Sequence, residues 1–189
     1  MEQGIEQVRR RLERAATALA NAGVRYAVVG GNAVAAWVSR VDVAAVRNTR
    51  DVDILLRRAD FDRARAAMEA AGFVHRRVTS LGKSGSMDVF LDGPEAKVRD
   101  AVHVLWAGEK ALPDAIEPTP ELTRTEPADG FELVPLEDLL WMKLTSFRDK
   151  DRVHLRDLAS VGLVDASWVA KFPAALAQRL QAILDDPEG

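Results

Sequence analysis

The sequence predicts a mixed α/β fold with a helical C-terminal portion, and three observations carry that prediction. Short apolar, β-rich runs alternate with helix-period segments up to residue 112, prolines crowd residues 113–135, and only helical periodicity follows from residue 136. A chain of 189 residues, 48% of them hydrophobic, can bury one such core but is short for two enzymatic domains. The expected division is an α/β core over 1–112, a proline-rich connector over 113–135, and a helical portion over 136–189 that packs on the core.

From Glu6 to Ala20, the residues Val8, Leu12, Ala15, Ala16 and Leu19 recur at helical spacing. Arg9, Arg10, Arg11, Glu13 and Arg14 fall mostly on the other face, so an amphipathic helix is expected, closed by Asn21 and Gly23. Tyr26 to Val29 is a short strand that stops at Gly30-Gly31, and Ala33 to Val38 reads as a buried small-residue helix. Asp51 to Leu56 reads as the next strand. Asp60 is placed to cap a helix with the inner face Phe61, Ala64, Met68 and Ala71, and Gly72 ends it. Val74 to Thr79, Met87 to Leu91 and Val102 to Trp106 are further strand-like runs. Beyond the connector, Leu136 to Phe147, Val153 to Val161 and Ala174 to Leu184 read as helices.

Several functions are excluded. The chain has no cysteine, which removes disulfides, thiolate metal sites and cysteine nucleophiles together. Its charges nearly cancel to a formal net charge of -3, so the totals demand no polyanionic partner. No uninterrupted apolar run suggests a signal peptide or a membrane span of roughly 20 residues, so a cytoplasmic protein without a membrane partner is expected. His75, His103 and His154 lack zinc-site spacing. Gly82-Lys83-Ser84 imitates the end of a P-loop, but Arg77 stands where that motif needs a glycine. Trp37, Trp106, Trp141 and Trp168 are spread along the chain and read as packing anchors.

The chemistry concentrates between residues 30 and 53. Asp-x-Asp occurs three times, at Asp51/Asp53, Asp60/Asp62 and Asp149/Asp151, and only the first lies in a strand-like run. Strand alternation puts Asp51 and Asp53 on one face, about 6 to 7 Å apart at Cα, with Val52, Ile54 and Leu56 on the other. Two such carboxylates can grip a hard cation, which can in turn hold a triphosphate. Gly30-Gly31 is the only Gly-Gly pair, and it sits where a strand hands over to a helix, so backbone N–H groups can approach phosphate oxygens closely. Arg47 and Thr49 lead into the carboxylates.

Gly30-Gly31-Asn32-Ala33, Arg47-Asn48-Thr49-Arg50 and Asp51-Val52-Asp53 together resemble the nucleotidyltransferase superfamily that includes polymerase β. The pattern Gly-Gly-x-Ala followed by Arg-x-Thr-x-Asp-x-Asp resembles a subgroup of minimal nucleotidyltransferases and abortive-infection-type toxins. The resemblance covers residues 26 to 56. The 19 residues between Gly31 and Asp51 exceed the superfamily's usual gap, which implies a longer helix or an inserted turn. Leu140-Trp141-Met142-Lys143-Leu144, with Arg148, Lys150, Asp151 and Arg156-Asp157-Leu158, is similar to a C-terminal helix of such proteins whose lysine faces the nucleotide.

The resemblance implies a nucleotidyltransferase fold, a mixed β-sheet flanked by helices. It implies transfer of a nucleoside monophosphate from a nucleoside triphosphate to an acceptor hydroxyl of tRNA, protein or a small molecule. Asp51 and Asp53 would hold Mg²⁺, with Mn²⁺ as a substitute, and Gly30, Gly31, Arg47 and Thr49 would bind the nucleotide. Lys143 would neutralise charge on the leaving group. A third carboxylate is expected from a neighbouring strand, where Asp88 and His103 compete. Asp88 would complete a catalytic set, whereas His103 would make binding without transfer the better reading. The alternative function is a catalytically degenerate nucleotide-binding protein, or a partner-binding protein paired with an antitoxin.

Overall fold

The computed structural model describes residues 2–79 and 86–189; the Gly82-Lys83-Ser84 sequence lies outside them. Helix α1 (Glu2–Asn21) leads into strand β1 (Tyr26–Val29) and helix α2 (Gly30–Ser39). Strand β2 (Val52–Leu56), helix α3 (Phe61–Ala70) and strands β3 (Val74–Thr79), β4 (Ser86–Leu91) and β5 (Ala101–Trp106) follow. Then come strands β6 (Glu126–Ala128) and β7 (Phe131–Leu133) and helices α4 (Leu136–Ser146), α5 (Asp149–Ser160) and α6 (Ala174–Asp185).

The strands form one mixed seven-stranded sheet in the order β3-β4-β5-β2-β1-β7-β6. β2 lies at its middle, antiparallel to β1 and parallel to β5. Strand alternation then sorts the side chains. Tyr26, Val28, Val52, Ile54, Leu56, Phe90, Val102 and Val104 pack with Val8, Leu12, Ala16 and Leu19 of α1 and Ala64 and Met68 of α3. Ala27, Val29 and Leu55 face the other way, against α2, α4, α5 and α6. Fully burying a side chain such as Ile54 or Leu56 is worth roughly 1.5–3 kcal/mol, and a one-residue slip of β2 would turn that row out and drive Asp53 into the α1/α3 core. The apolar row therefore fixes Asp53 on the α2/α4/α5 side.

The structure resolves one alternative the sequence left open and differs from the expectation in two details. The long gap before Asp51 is an inserted turn: α2 ends at Ser39, and a 3-10 turn at Val43–Ala45, capped by the Asp42 carboxylate, precedes an extended approach to β2. The 113–135 segment, expected to add no layer, contributes β6 and β7 at its end. β7 joins β1 through the Val28–Leu133 pair, and a turn at Gly130, with φ of +83°, folds β6 back onto β7. These strands are three residues each, too short for the alternation that marks a strand in sequence. Lastly, Asp60 makes no cap bond to its helix; its carboxylate takes Arg57 Nε and Arg63 Nη2 instead.

Candidate functional site

The site begins at the β1–α2 junction. Gly30 has φ of +68°, and a Cβ added there would collide with the Asp53 carboxylate across the β1–β2 pair, where Val29 is opposite Asp53. A Cβ at Gly31 would come within 2.8 Å of Thr49 Oγ1. Both glycines are thus required by close approach, Gly30 by its backbone angle as well. The turn is folded directly onto one of the two expected metal carboxylates. It leaves the first N–H groups of the ten-residue helix α2 beside that carboxylate, a place where phosphate oxygens and a cation could meet.

The approach to Asp51 is clamped by groups from distant elements. Asn32 Nδ2 donates to the Asp51 carbonyl at 2.6 Å. Arg11 of α1 is 4% exposed, donates from Nη1 to the Arg50 carbonyl at 3.3 Å, and pairs through Nε with Asp92 at 3.1 Å. This corrects the expectation that Arg11 lies with its neighbours on the outer face. Its spacing from Val8 and Ala15 matches the apolar stripe and could have revealed it. Arg47 makes a forked contact from Nε to both oxygens of Asp157 on α5, at 2.9 and 2.8 Å. It ties the inserted turn to α5, while most of its side chain remains exposed.

His103 takes the third position. β5 lies parallel to β2 with His103 paired to Asp53, and the ring Nδ1 sits 3.2 Å from Asp53 Oδ1. Nε2 lies 3.0 Å from the Val98 carbonyl, which can only accept, so Nε2 carries a proton. The Asp53 carboxylate faces the other ring nitrogen, which can donate to it when the ring is protonated. Burial alone would lower the His103 pKa; the hydrogen bonds to Asp53 and Val98 and the charges of Asp53 and Asp51 outweigh it and leave it raised.

Asp88, expected as a third catalytic carboxylate, does not join this face. The β4–β5 register sets Val89 opposite His103, so Asp88 points to the α1/α3 side. There it is buried, holding His75 Nε2 at 2.8 Å and Arg77 at 3.3 and 3.1 Å. Burial would raise its pKa, but the bonds from Arg77 and His75 win and hold it below the usual range. Alternation within β4 left both orientations open; the register decides against it.

Lys143 approaches from α4. Its side chain is 6% exposed, and Nζ donates to Asp151 Oδ1 at 3.0 Å. Burial lowers its pKa despite the opposing charges of Asp151 and, from across the site, Asp53. Among the described residues, no group of three or more His, Asp or Glu side chains is arranged to hold a metal ion. Asp53 presents a carboxylate beside the His103 ring, and the charge of Asp51 also reaches that ring. With a histidine rather than a third carboxylate beside them, these two acids would suit one divalent ion completed by phosphate and water oxygens better than two.

A family model described as an uncharacterised nucleotidyltransferase matches residues 2–164. The chain belongs to that nucleotidyltransferase family. No curated protein matches it in sequence. Among solved structures, JHP933 from Helicobacter pylori is similar with a TM-score of 0.53 and 17% identity, covering 100% of this chain and 77% of that one. The crystal structure of ANT(2'')-Ia in complex with adenylyl-2''-tobramycin has a TM-score of 0.48 and 14% identity, covering 94% of this chain and 97% of that one. A solution structure of the antibiotic-resistance factor ANT(2'')-Ia has a TM-score of 0.45 and 15% identity, with coverage of 93% and 81%. The family match over residues 2–164 and the seven-stranded mixed sheet flanked by helices give this chain the nucleotidyltransferase fold. Among its described residues, no helix of this nucleotidyltransferase family member is long and apolar enough to cross a membrane.

Proposed function

We propose that this nucleotidyltransferase family member binds a nucleoside triphosphate with a single divalent ion, and that binding without turnover is the function its geometry supports best. In this reading Gly30 and Gly31 take the phosphates, Asp51 and Asp53 hold Mg²⁺ or Mn²⁺, Thr49 and Arg47 shape the turn, and Lys143 meets the distal phosphates. Bound there, the ion would neutralise phosphate charge. The observation that carries the reading is the Asp53–His103 contact beside the glycine turn. A histidine where a third carboxylate is expected brings no negative charge for a second ion, and its ring also claims one oxygen of the first ion's ligand.

A second reading is favoured by the family match and by the paired aspartates: transfer of the nucleoside monophosphate to an acceptor hydroxyl, with release of pyrophosphate. The acceptor would be tRNA, a protein or a small molecule. The likeness to abortive-infection-type toxins goes with this second reading, whereas pairing with an antitoxin goes with the non-catalytic one. One experiment separates the two. The protein is titrated with each nucleoside triphosphate and Mg²⁺ or Mn²⁺ by calorimetry, then incubated with the labelled triphosphates and a crude extract of acceptors. Binding with no label on any acceptor supports the first reading. Label that appears on RNA, protein or a small molecule, and vanishes in Asp53→Asn, establishes the second.

A further inference from the structure

Asp151 is fully buried, yet it touches none of the groups expected to meet nucleotide except one. It stands in the first turn of α5, where the helix dipole favours a carboxylate, and it accepts three hydrogen bonds besides that one contact. Oδ2 takes Ser146 Oγ at 2.7 Å, Arg148 Nε at 2.8 Å and the Arg148 backbone N–H at 3.2 Å. Oδ1 is left for Lys143 Nζ at 3.0 Å. Phe147, in the left-handed region with φ of +47°, makes the tight turn that brings the end of α4 and the start of α5 together. The carboxylate is therefore fixed in rotation by three donors on one oxygen and presents the other to the ammonium.

That is more fixing than charge neutrality requires. Arg148 is more than half exposed and could turn to solvent, and an isolated buried pair is often replaceable by apolar side chains at no cost in stability. What the arrangement achieves is direction. Lys143 carries three N–H bonds, and among the described residues Asp151 accepts one of them. The ammonium lies within the electrostatic reach of Asp53, whose other neighbours are His103 and the Gly30 turn. A flexible four-carbon stem would otherwise let this charge wander, and burial would favour its neutral form.

We propose that Asp151 is a positioning residue, fixing the buried Lys143 ammonium so that its remaining N–H bonds meet the β- or γ-phosphate of a nucleoside triphosphate held at Gly30, Gly31 and Asp53. This rests on the nucleotide-site reading above, and it adds which residue confers the preference for a triphosphate over a monophosphate. Asp151 acts only through Lys143. Removing it therefore costs the triphosphate preference when Lys143 is present and nothing when Lys143 is absent.

The test is a double-mutant cycle on the full chain, with ATP and AMP plus Mg²⁺ titrated by calorimetry and repeated with the other three nucleotide pairs, and with Tm measured in parallel. Asp151→Asn is expected to reduce the ATP-over-AMP affinity ratio about tenfold, the size of one charge-assisted contact. Lys143→Met should do the same, and the double variant should lose no more than either alone. An Asp151→Asn protein that melts lower but keeps its ATP-over-AMP ratio, or ratio losses that add in the double variant, would overturn the proposal. Should Asp151→Asn fail to fold, Ser146→Ala loosens the same carboxylate while keeping its charge. A loss of about twofold in the ratio is then expected, and an unchanged ratio counts against the proposal. Absence of ATP binding by the wild type, or ATP binding unaltered by Asp51→Asn with Asp53→Asn, would remove the nucleotide-site reading itself and this inference with it. The pattern of a failed site and that of a failed Asp151 role are thus distinct.

Discussion

Asp53 and Asp88 each meet a histidine on a neighbouring strand, Asp53 with His103 at 3.2 Å and Asp88 with His75 at 2.8 Å, on opposite faces of one sheet. The chemistry of the pairs is alike and the surroundings are not. Asp88 is 3% exposed at its side chain, both its oxygens are engaged by His75 and Arg77, and Phe61 and Phe90 pack against the His75 ring. Asp53 is 23% exposed, gives one oxygen to His103, and lays the other against a glycine turn that no side chain could replace. A carboxylate whose lone pairs are all taken by the protein stabilises the fold. One left half-taken at an open turn is available to a ligand.

Breaking both pairs should show the contrast at its largest. Asp51→Asn together with Asp53→Asn is expected to lower Mg²⁺-dependent ATP affinity by about a hundredfold or more with the fold intact, since removing like charges from one open face seldom destabilises. Asp88→Asn should do the reverse. It leaves ATP affinity unchanged and costs about 2–4 kcal/mol in urea unfolding, because His75 and Arg77 lose a buried counter-charge. Calorimetry and denaturation on the same preparations check both. Nucleotide affinity that follows Asp88 rather than Asp51 and Asp53 would invert the assignment of the two faces.

A third histidine sharpens the contrast because, among the described residues, no carboxylate is hydrogen-bonded to its ring. His154 of α5 has a buried Nδ1 without a hydrogen-bond partner, and burial, then the charge of Lys143, push its pKa down to about 4. In the unfolded chain the ring titrates near 6.5. Between these values the unfolded state binds more protons than the native state, so this contribution is fully present above about pH 6.5 and is lost as the pH falls toward 4. The expected loss is about 2–3 kcal/mol between pH 7 and 4.5. Urea unfolding at the two pH values measures it, and His154→Leu should lack that part of the drop. An equal drop in wild type and variant would mean that the ring is solvated or paired.

The helices, the strands through residue 106 and the Gly-Gly and Asp-x-Asp elements were legible because each rests on local pattern. Val52, Ile54 and Leu56 alternate, and that alone turns Asp53 to the correct face. What was not legible depends on register between strands far apart in sequence. His103 and Asp88 both stand in short apolar strands, and only the pairing of β5 with β2 on one side and β4 on the other selects His103. Arg11 reaching Arg50 across α1, and Arg47 forking onto Asp157, are equally long-range. β6 and β7 join the sheet by partner choice, since three residues show no period.

The last prediction converts one face's chemistry into what the sequence allowed Asp88 to supply. His103→Asp replaces the ring against Asp53 with a carboxylate at the third position, so that three carboxylates could share one face. The Val98 carbonyl loses the Nε2 donor, at a cost of about 1 kcal/mol, which a stable core tolerates. With the His103 ring gone, Asp53 has both oxygens for a cation, and Mg²⁺ affinity measured by calorimetry should rise about tenfold, the effect of one favourable charge interaction of about 1.4 kcal/mol. Label from a triphosphate should reach an acceptor in this variant if the glycine turn and Lys143 already hold the nucleotide productively. Unchanged Mg²⁺ affinity in a folded His103→Asp protein would show that the third position does not control the metal site. The difference between Asp53 and Asp88 would then rest on exposure alone.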